Sequence, residues 1–144
     1  RRVLFRSQAD VVLDCSDNFS TRQAVNAACV AHRVPLVSGA AIGFDGQISV
    51  YDTRDPQAPC YACVFPPDTP PEETRCATLG VLAPLTGIVG SMQAALALNL
   101  LAGVGPVPIA QLQMLDARRM EWTTLRLRRN PGCPVCSAAH APRT

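Results

Sequence analysis

The chain contains no lysine; all 13 of its basic residues are arginine. Chemistry that needs an amine from this chain, such as a Schiff base or a phosphate-gripping lysine, is therefore excluded. Charge is sparse, at 17% of 144 residues, and aromatic residues make up only 5%. The formal net charge is +2, but Arg1, Arg2 and Arg6 all lie in the opening Arg-Arg-Val-Leu-Phe-Arg-Ser. That stretch matches one reading frame of a common sequencing-library adapter, so residues 1–7 are expected to be non-native and are set aside. Without them ten arginines face eleven acids, a balance of −1. No arginine run interleaves with aromatics, so nucleic acid is not an expected partner. Gly43-Phe44-Asp45-Gly46 and Gly103-Val104-Gly105 do not make a G-x-G-x-x-G, so a glycine-rich phosphate loop is missing too. No signal peptide is visible, which suits a cytoplasmic protein.

The 48% of apolar residues can bury a substantial core. Residues 9–15 form a short apolar run, the pattern of a buried parallel strand feeding a loop. Ser16-Asp17-Asn18 supplies turn and cap chemistry, and residues 20–33 follow with helical spacing, Ala24, Ala27, Ala28 and Ala31 offering a small-residue face to a sheet. Pro35 stops that helix and residues 36–41 read as the next strand, completing one βαβ unit. Residues 47–52 alternate like a half-exposed strand, which predicts an antiparallel addition to the sheet. Residues 54–73 carry Pro56, Pro59, Pro66, Pro67, Pro70 and Pro71 and read as loop. Two strands, about 111–117 and 121–128, read as a hairpin, with Arg126, Arg128 and Arg129 on a solvated face, and residues 137–144 as a loose tail. The expected fold class is α/β, with a parallel βαβ portion and antiparallel C-terminal strands.

Between Cys76 and Leu115 stand 40 residues without a charge. Residues 83–103 within them read as a helix ending at Gly103. Its length would span a bilayer. Pro84, Gly87, Gly90, Gln93 and Asn99 weigh instead for a buried helix at a domain or subunit interface. Gly87, Ser91 and Ala95 lie four apart and would let another backbone approach.

Seven cysteines are many for this length, and their number is odd. Cys60-Tyr-Ala-Cys63 and Cys133-Pro-Val-Cys136 form two C-x-x-C hooks, a set of thiolates matching a closed structural zinc site. The hooks lie 69 residues apart, far beyond a simple ribbon, so the fold must bring them together. A redox pair or plain buried thiols are the alternatives, but a redox C-x-x-C normally opens a helix after a strand. Cys15 and Cys29 read as inert core. Cys76 follows Glu72-Glu73-Thr74-Arg75 and is either a reactive thiol favoured by Arg75 or incidental. Asp14, Asp17 and Asn18 stand where a strand runs out into a helix. There a carboxylate can hold the magnesium of a nucleoside triphosphate, or simply cap the helix.

The ordered set is more specific than its parts. Asp14-Cys15-Ser16-Asp17-Asn18, Thr21-Arg22, Asn26, Cys29, Pro35-Leu36-Val37-Ser38-Gly39 and Gly46-Gln47-Ile48 come in turn. Cys60-Tyr61-Ala62-Cys63, Cys76-Ala77-Thr78-Leu79-Gly80-Val81, Gly87-Ile88-Val89-Gly90-Ser91-Met92-Gln93-Ala94 and Asn130-Pro131-Gly132-Cys133-Pro134-Val135-Cys136 follow. From about residue 9 to residue 136 this order resembles the C-terminal half of MoeB/ThiF/HesA adenylyltransferases, bacterial relatives of ubiquitin-activating enzymes.

The resemblance implies a partial Rossmann-like ubiquitin-activating-enzyme fold over residues 8–136. It also implies adenylation, with Mg-ATP, of the C-terminal glycine of a small ubiquitin-fold sulfur carrier ending in Gly-Gly, in molybdopterin or thiamin synthesis. On it, Asp17 falls on the nucleotide and magnesium aspartate, with Asn18 and Asp14 beside it. Cys60, Cys63, Cys133 and Cys136 fall on the zinc ligands. Cys76 falls on a thiol that in some members carries a covalent sulfur link to the carrier. A homodimer and no membrane association are expected. The half of the family that supplies the phosphate grip is not in this sequence, so the chain alone is expected to be inactive. A non-catalytic, zinc-stabilised protein-binding module is the alternative.

Overall fold

The computed structural model describes residues 9–69 and 79–137. The opening residues 1–7, Cys76, and the expected tail beyond Ser137 lie outside them. Strand β1 (Val12–Asp14) leads into helix α1 (Phe19–His32) and back to strand β2 (Leu36–Ile42), which pairs parallel to β1 from Val12↔Leu36 to Asp14↔Ser38. Arg33 takes the left-handed conformation at the end of α1, and Pro35, which has no N–H to give, offers its carbonyl to the Val12 N–H at 2.9 Å. Strands β3 (Asp45–Tyr51), β4 (Gln111–Asp116) and β5 (Glu121–Arg126) then add in order, each antiparallel to the last, giving the sheet β1-β2-β3-β4-β5.

Side chains alternate between the two faces of this sheet. Leu36 and Tyr51 pack with Cys29 of α1 on one face. Val37 and Val50 pack with Ala97, and Ile48 and Leu115 with Leu85 and Val89, on the other. Strand β3 is therefore central rather than half-exposed, since all of Ile48–Tyr51 is buried. Ser49 suits that place because its hydroxyl donates to the Gln111 carbonyl at 2.7 Å.

Helix α1 turns a different side to the sheet from the one its alanines suggested. Arg22, Asn26, Cys29 and Val30 are buried, while Ala24, Ala27 and Ala31 are exposed. Alanine is small enough for either side, and the polar pair turns inward because hydrogen-bond partners wait there. The proline-rich segment is not wholly loop either: Tyr61–Val64 form a one-turn helix, α2.

Helix α3 (Ala83–Ala102) ends at Gly103, whose φ of 64° is the left-handed conformation that a glycine cap adopts freely. It is long and apolar enough to cross a membrane by length and composition. Its ridge of Leu85, Val89, Gln93 and Ala97 is buried, and the helix lies against β2 and β3. Gly46 permits that approach, for a Cβ there would meet Leu85 Cδ1 at 2.9 Å and Val89 Cγ2 at 3.1 Å. The opposite side, with Gly87, Ser91, Ala95, Leu98 and Leu101, faces outward, so the small-residue stripe receives no backbone from the described residues.

Leu85 is fully buried. Truncation of Leu85 to Ala is expected to cost about 2–5 kcal/mol. The same change at Leu98, 65% exposed, should cost about 0.5 kcal/mol or less. Urea unfolding measures both, and equal losses would contradict the packing described.

Candidate functional site

Two separate features carry chemistry, and the first is the thiol cluster. Each hook is a tight turn: the Cys63 N–H donates to the Cys60 carbonyl, and the Cys133 N–H to the Asn130 carbonyl, both at 3.0 Å. Gly132 N–H donates to Asn130 Oδ1 at 2.9 Å, which fixes the turn before the second hook. The four sulfurs of Cys60, Cys63, Cys133 and Cys136 lie within 4.8 Å of one another. The nearest pairs are 3.4 Å (Cys63–Cys136), 3.7 Å (Cys60–Cys133) and 3.9 Å (Cys60–Cys63). A disulfide needs about 2.05 Å. A tetrahedron with metal–sulfur bonds of about 2.3 Å has edges of about 3.8 Å, so the spacing fits a metal ion.

The protonation pattern agrees. The hydrogen bond between Cys60 and Cys63, with burial, pushes the Cys60 thiol well up, and the same bond pulls Cys63 down. Burial, then Cys63, pushes Cys136 up to about 11. A dication bound among these sulfurs would displace thiol protons.

Asn26 links the cluster to helix α1. Its Oδ1 accepts the Tyr61 N–H at 2.9 Å and its Nδ2 donates to the Cys60 sulfur at 3.7 Å. Tyr61 in turn packs edge-on against Tyr51 at 6.0 Å and beside Phe65 at 4.8 Å between ring centres.

The second feature is an open cleft of about 1160 Å³ over the carboxyl ends of β1 and β2. Ligands bind at such ends in open α/β sheets. Asn18, not Asp17, caps α1: its Oδ1 accepts the Thr21 N–H at 2.8 Å and the Ser20 hydroxyl at 2.9 Å. The cap leaves Asp17 exposed in the cleft, with no ion pair among the described residues. Asp14 is buried and does not line the cleft. Its Oδ1 accepts the Ser16 N–H at 2.9 Å and hydroxyl at 2.6 Å, and its Oδ2 lies 4.0 Å from Arg22 Nη1. It shapes the loop that presents Asp17.

Two buried side chains grip the same loop from opposite faces of the sheet. Arg22 donates to the Ser16 and Gly39 carbonyls, the latter at 3.0 Å. Gln93 of α3 donates from Nε2 to the Asp14 carbonyl at 2.9 Å and the Val37 carbonyl at 3.1 Å. Burying an amide unpaired costs about 1–3 kcal/mol, so these bonds are what makes Gln93 tolerable on that ridge. Arg22, Asn26 and Gln93 carried no expected role. The one sequence signal was a polar residue recurring at helical spacing among residues that pack.

The remaining cysteines divide. Cys15 is exposed and lines the cleft rather than the core, because β1 ends one residue earlier. Cys29 is buried as expected, and burial, with Asp14 nearby, pushes its thiol up to about 12. Cys76 lies outside the described residues. Among the described residues around the cleft, Asp17, Asp45, Asp116 and Glu121 outnumber Arg22 and Arg119.

Residues 2–135 match the model of the ThiF family. The "Sulfur carrier protein ThiS adenylyltransferase" of Escherichia coli (strain K12) is 44% identical over 135 residues, covering 94% of this chain and 53% of that protein. The "Molybdopterin-synthase adenylyltransferase" of the same organism is 45% identical over 133 residues, covering 90% and 51%. "Adenylyltransferase and sulfurtransferase MOCS3-1" of Drosophila pseudoobscura pseudoobscura is 48% identical over 131 residues, covering 90% and 29%. The chain spans about half the length of the two bacterial relatives and less than a third of the fly protein. Among solved structures, E. coli MccB with ATP superposes with a TM-score of 0.71 at 16% identity, over 90% of this chain and 40% of that one. That likeness is one of fold.

The thiols give a direct check. Treatment of the native protein with iodoacetamide at pH 8 should label Cys15 and leave Cys29, protonated far above that pH, unlabelled. Peptide mapping that finds Cys29 labelled before Cys15 would contradict this placement.

Proposed function

The chain belongs to the ThiF family, and on that premise we propose that it is part of an ATP-dependent adenylyltransferase acting on the C-terminal glycine of a small ubiquitin-fold sulfur carrier. The observation that carries this reading is the exposed Asp17 carboxylate, in contact only with Asn18 Nδ2 at 3.4 Å and set at the N-terminus of α1 in a cleft outside the ends of parallel strands. The sulfur-carrier and molybdopterin-synthase adenylyltransferase names of the bacterial relatives support it.

In the proposed reaction a glycine carboxylate oxygen bonds to the α-phosphorus of ATP, the bond to pyrophosphate breaks, and the acyl-adenylate is open to attack by sulfur. Asp17 would hold Mg2+ against the phosphates, with Asn18 beside it and Asp14 shaping the loop behind. Bringing a carboxylate to a triphosphate requires such a cation to offset the charge between them. Cys60, Cys63, Cys133 and Cys136 would hold Zn2+ as a closed site, away from the reaction. Cys76 is the proposed thiol for sulfur transfer. The outward apolar side of α3, with Leu98 and Leu101 exposed and open space at Gly87, suits a homodimer contact.

The cleft holds more acids than arginines, and the chain has no lysine. A tetra-anionic nucleotide therefore needs more cations than the described residues bring to the cleft. That charge balance favours the alternative of a zinc-stabilised binding module for the chain standing alone.

Carrier-dependent ATP–pyrophosphate exchange tests the proposal. The full-length gene product that contains this chain should exchange, and Asp17→Asn should lower its rate by about 100-fold or more. The isolated chain should give no exchange. Unchanged exchange in the Asp17→Asn variant, or exchange by the isolated chain, would refute these assignments. Cys76→Ser should stop sulfur transfer and spare adenylation; unaffected sulfur transfer would remove Cys76 from the mechanism.

A further inference from the structure

Gln93 is the one buried polar residue on the inner ridge of α3, and it sits where β1 and β2 part company. Asp14↔Ser38 is the last paired position of those strands. Beyond it β1 leaves into the loop 15–18, while β2 runs on beside β3 to Ile42. The Gln93 carboxamide reaches this fork from beneath. Its Nε2 takes the Asp14 carbonyl from one strand and the Val37 carbonyl from the other, and its Oε1 lies 3.6 Å from Cys15 Sγ in the loop itself. Gly39 leaves the room for it, since a Cβ there would collide with the carboxamide. The fork is thus held by an amide from a helix 79 positions along the chain.

We propose that Gln93, with Gly39 making space for it, is a positioning residue. It sets the height and direction of the loop that presents Asp17 to the nucleotide, a role that rests on the reading of Asp17 given above. Gln93 need not touch the phosphates: its hydrogen bonds end on the backbone of Asp14 and Val37. Arg22 grips the Ser16 carbonyl, two residues on, from the other face, so losing the Gln93 bonds should loosen the loop without releasing α1.

The test uses the full-length gene product and Gln93→Met, which keeps the volume and removes the amide. Gly39→Ala, which displaces the amide while leaving Gln93 in the chain, is the second variant. Hydrogen exchange of backbone amides over residues 14–18 should quicken by about tenfold in both, with residues 60–63 and 133–136 unchanged. ATP–pyrophosphate exchange should fall by about tenfold in Gln93→Met, and by less than about twofold when the same change is added to Asp17→Asn, because both act through one group. Unaltered amide exchange in the loop, or an equal activity loss with and without Asp17, would overturn the proposal. Should the wild-type protein show no pyrophosphate exchange while the loop quickens as stated, the adenylation reading fails and the placement of the loop by Gln93 is upheld.

Discussion

Four sulfur atoms gathered within 4.8 Å are the constraint on which the arrangement of the molecule turns. The two hooks stand 69 residues apart in sequence, with β4, β5 and the whole of α3 between them. Cross-linking a loop of that length through a metal removes about 4 kcal/mol of denatured-state entropy by the loop-closure argument. The same gathering places Cys60 against Asn26, and Asn26 lies on the buried side of α1. Helix α1 is thereby held at one side by the cluster and at its N-terminus by Arg22 and the Asn18 cap. The proposed zinc and the proposed nucleotide thus act on opposite parts of one helix.

The polar residues inside the protein follow from that arrangement. Arg22, Asn26 and Gln93 would each be costly in an apolar interior without partners. Each instead meets backbone carbonyls or sulfur near the carboxyl ends of β1 and β2 or at the first hook. The carboxyl ends of the parallel strands offer such groups because the strands diverge there. The divergence that opens the cleft therefore also creates the need for Arg22 and Gln93.

Much of this was legible in the sequence, and the residues show why some was not. The hydrophobic period and the Gly103 stop placed the long helix at 83–103, against Ala83–Ala102 in the structure. The βαβ unit and the β4–β5 hairpin followed from short apolar runs bounded by turns. The side α1 buries is not legible in its sequence because alanines fit either environment, whereas the partners of Arg22 and Asn26 lie as much as 35 residues away. Residues 47–52 looked half-exposed because Ser49 is polar; its bond to a neighbouring strand hides that polarity. Sequence alone does not separate Asp17 and Asn18 as cap and exposed carboxylate; the Thr21 N–H bond to Asn18 Oδ1 assigns the cap to Asn18. Cys15 reads as core only if the first strand runs on to it, and β1 ends at Asp14.

The central claim is that the four cysteines form a closed metal site rather than a redox pair or a set of idle thiols. X-ray absorption at the zinc edge on the purified protein addresses it most directly. The account predicts one zinc per chain with four sulfur neighbours at about 2.3 Å and no nitrogen or oxygen ligand. A metal-free protein with Cys60 and Cys63 joined at about 2.05 Å, or a zinc carrying a water or histidine ligand, would contradict it.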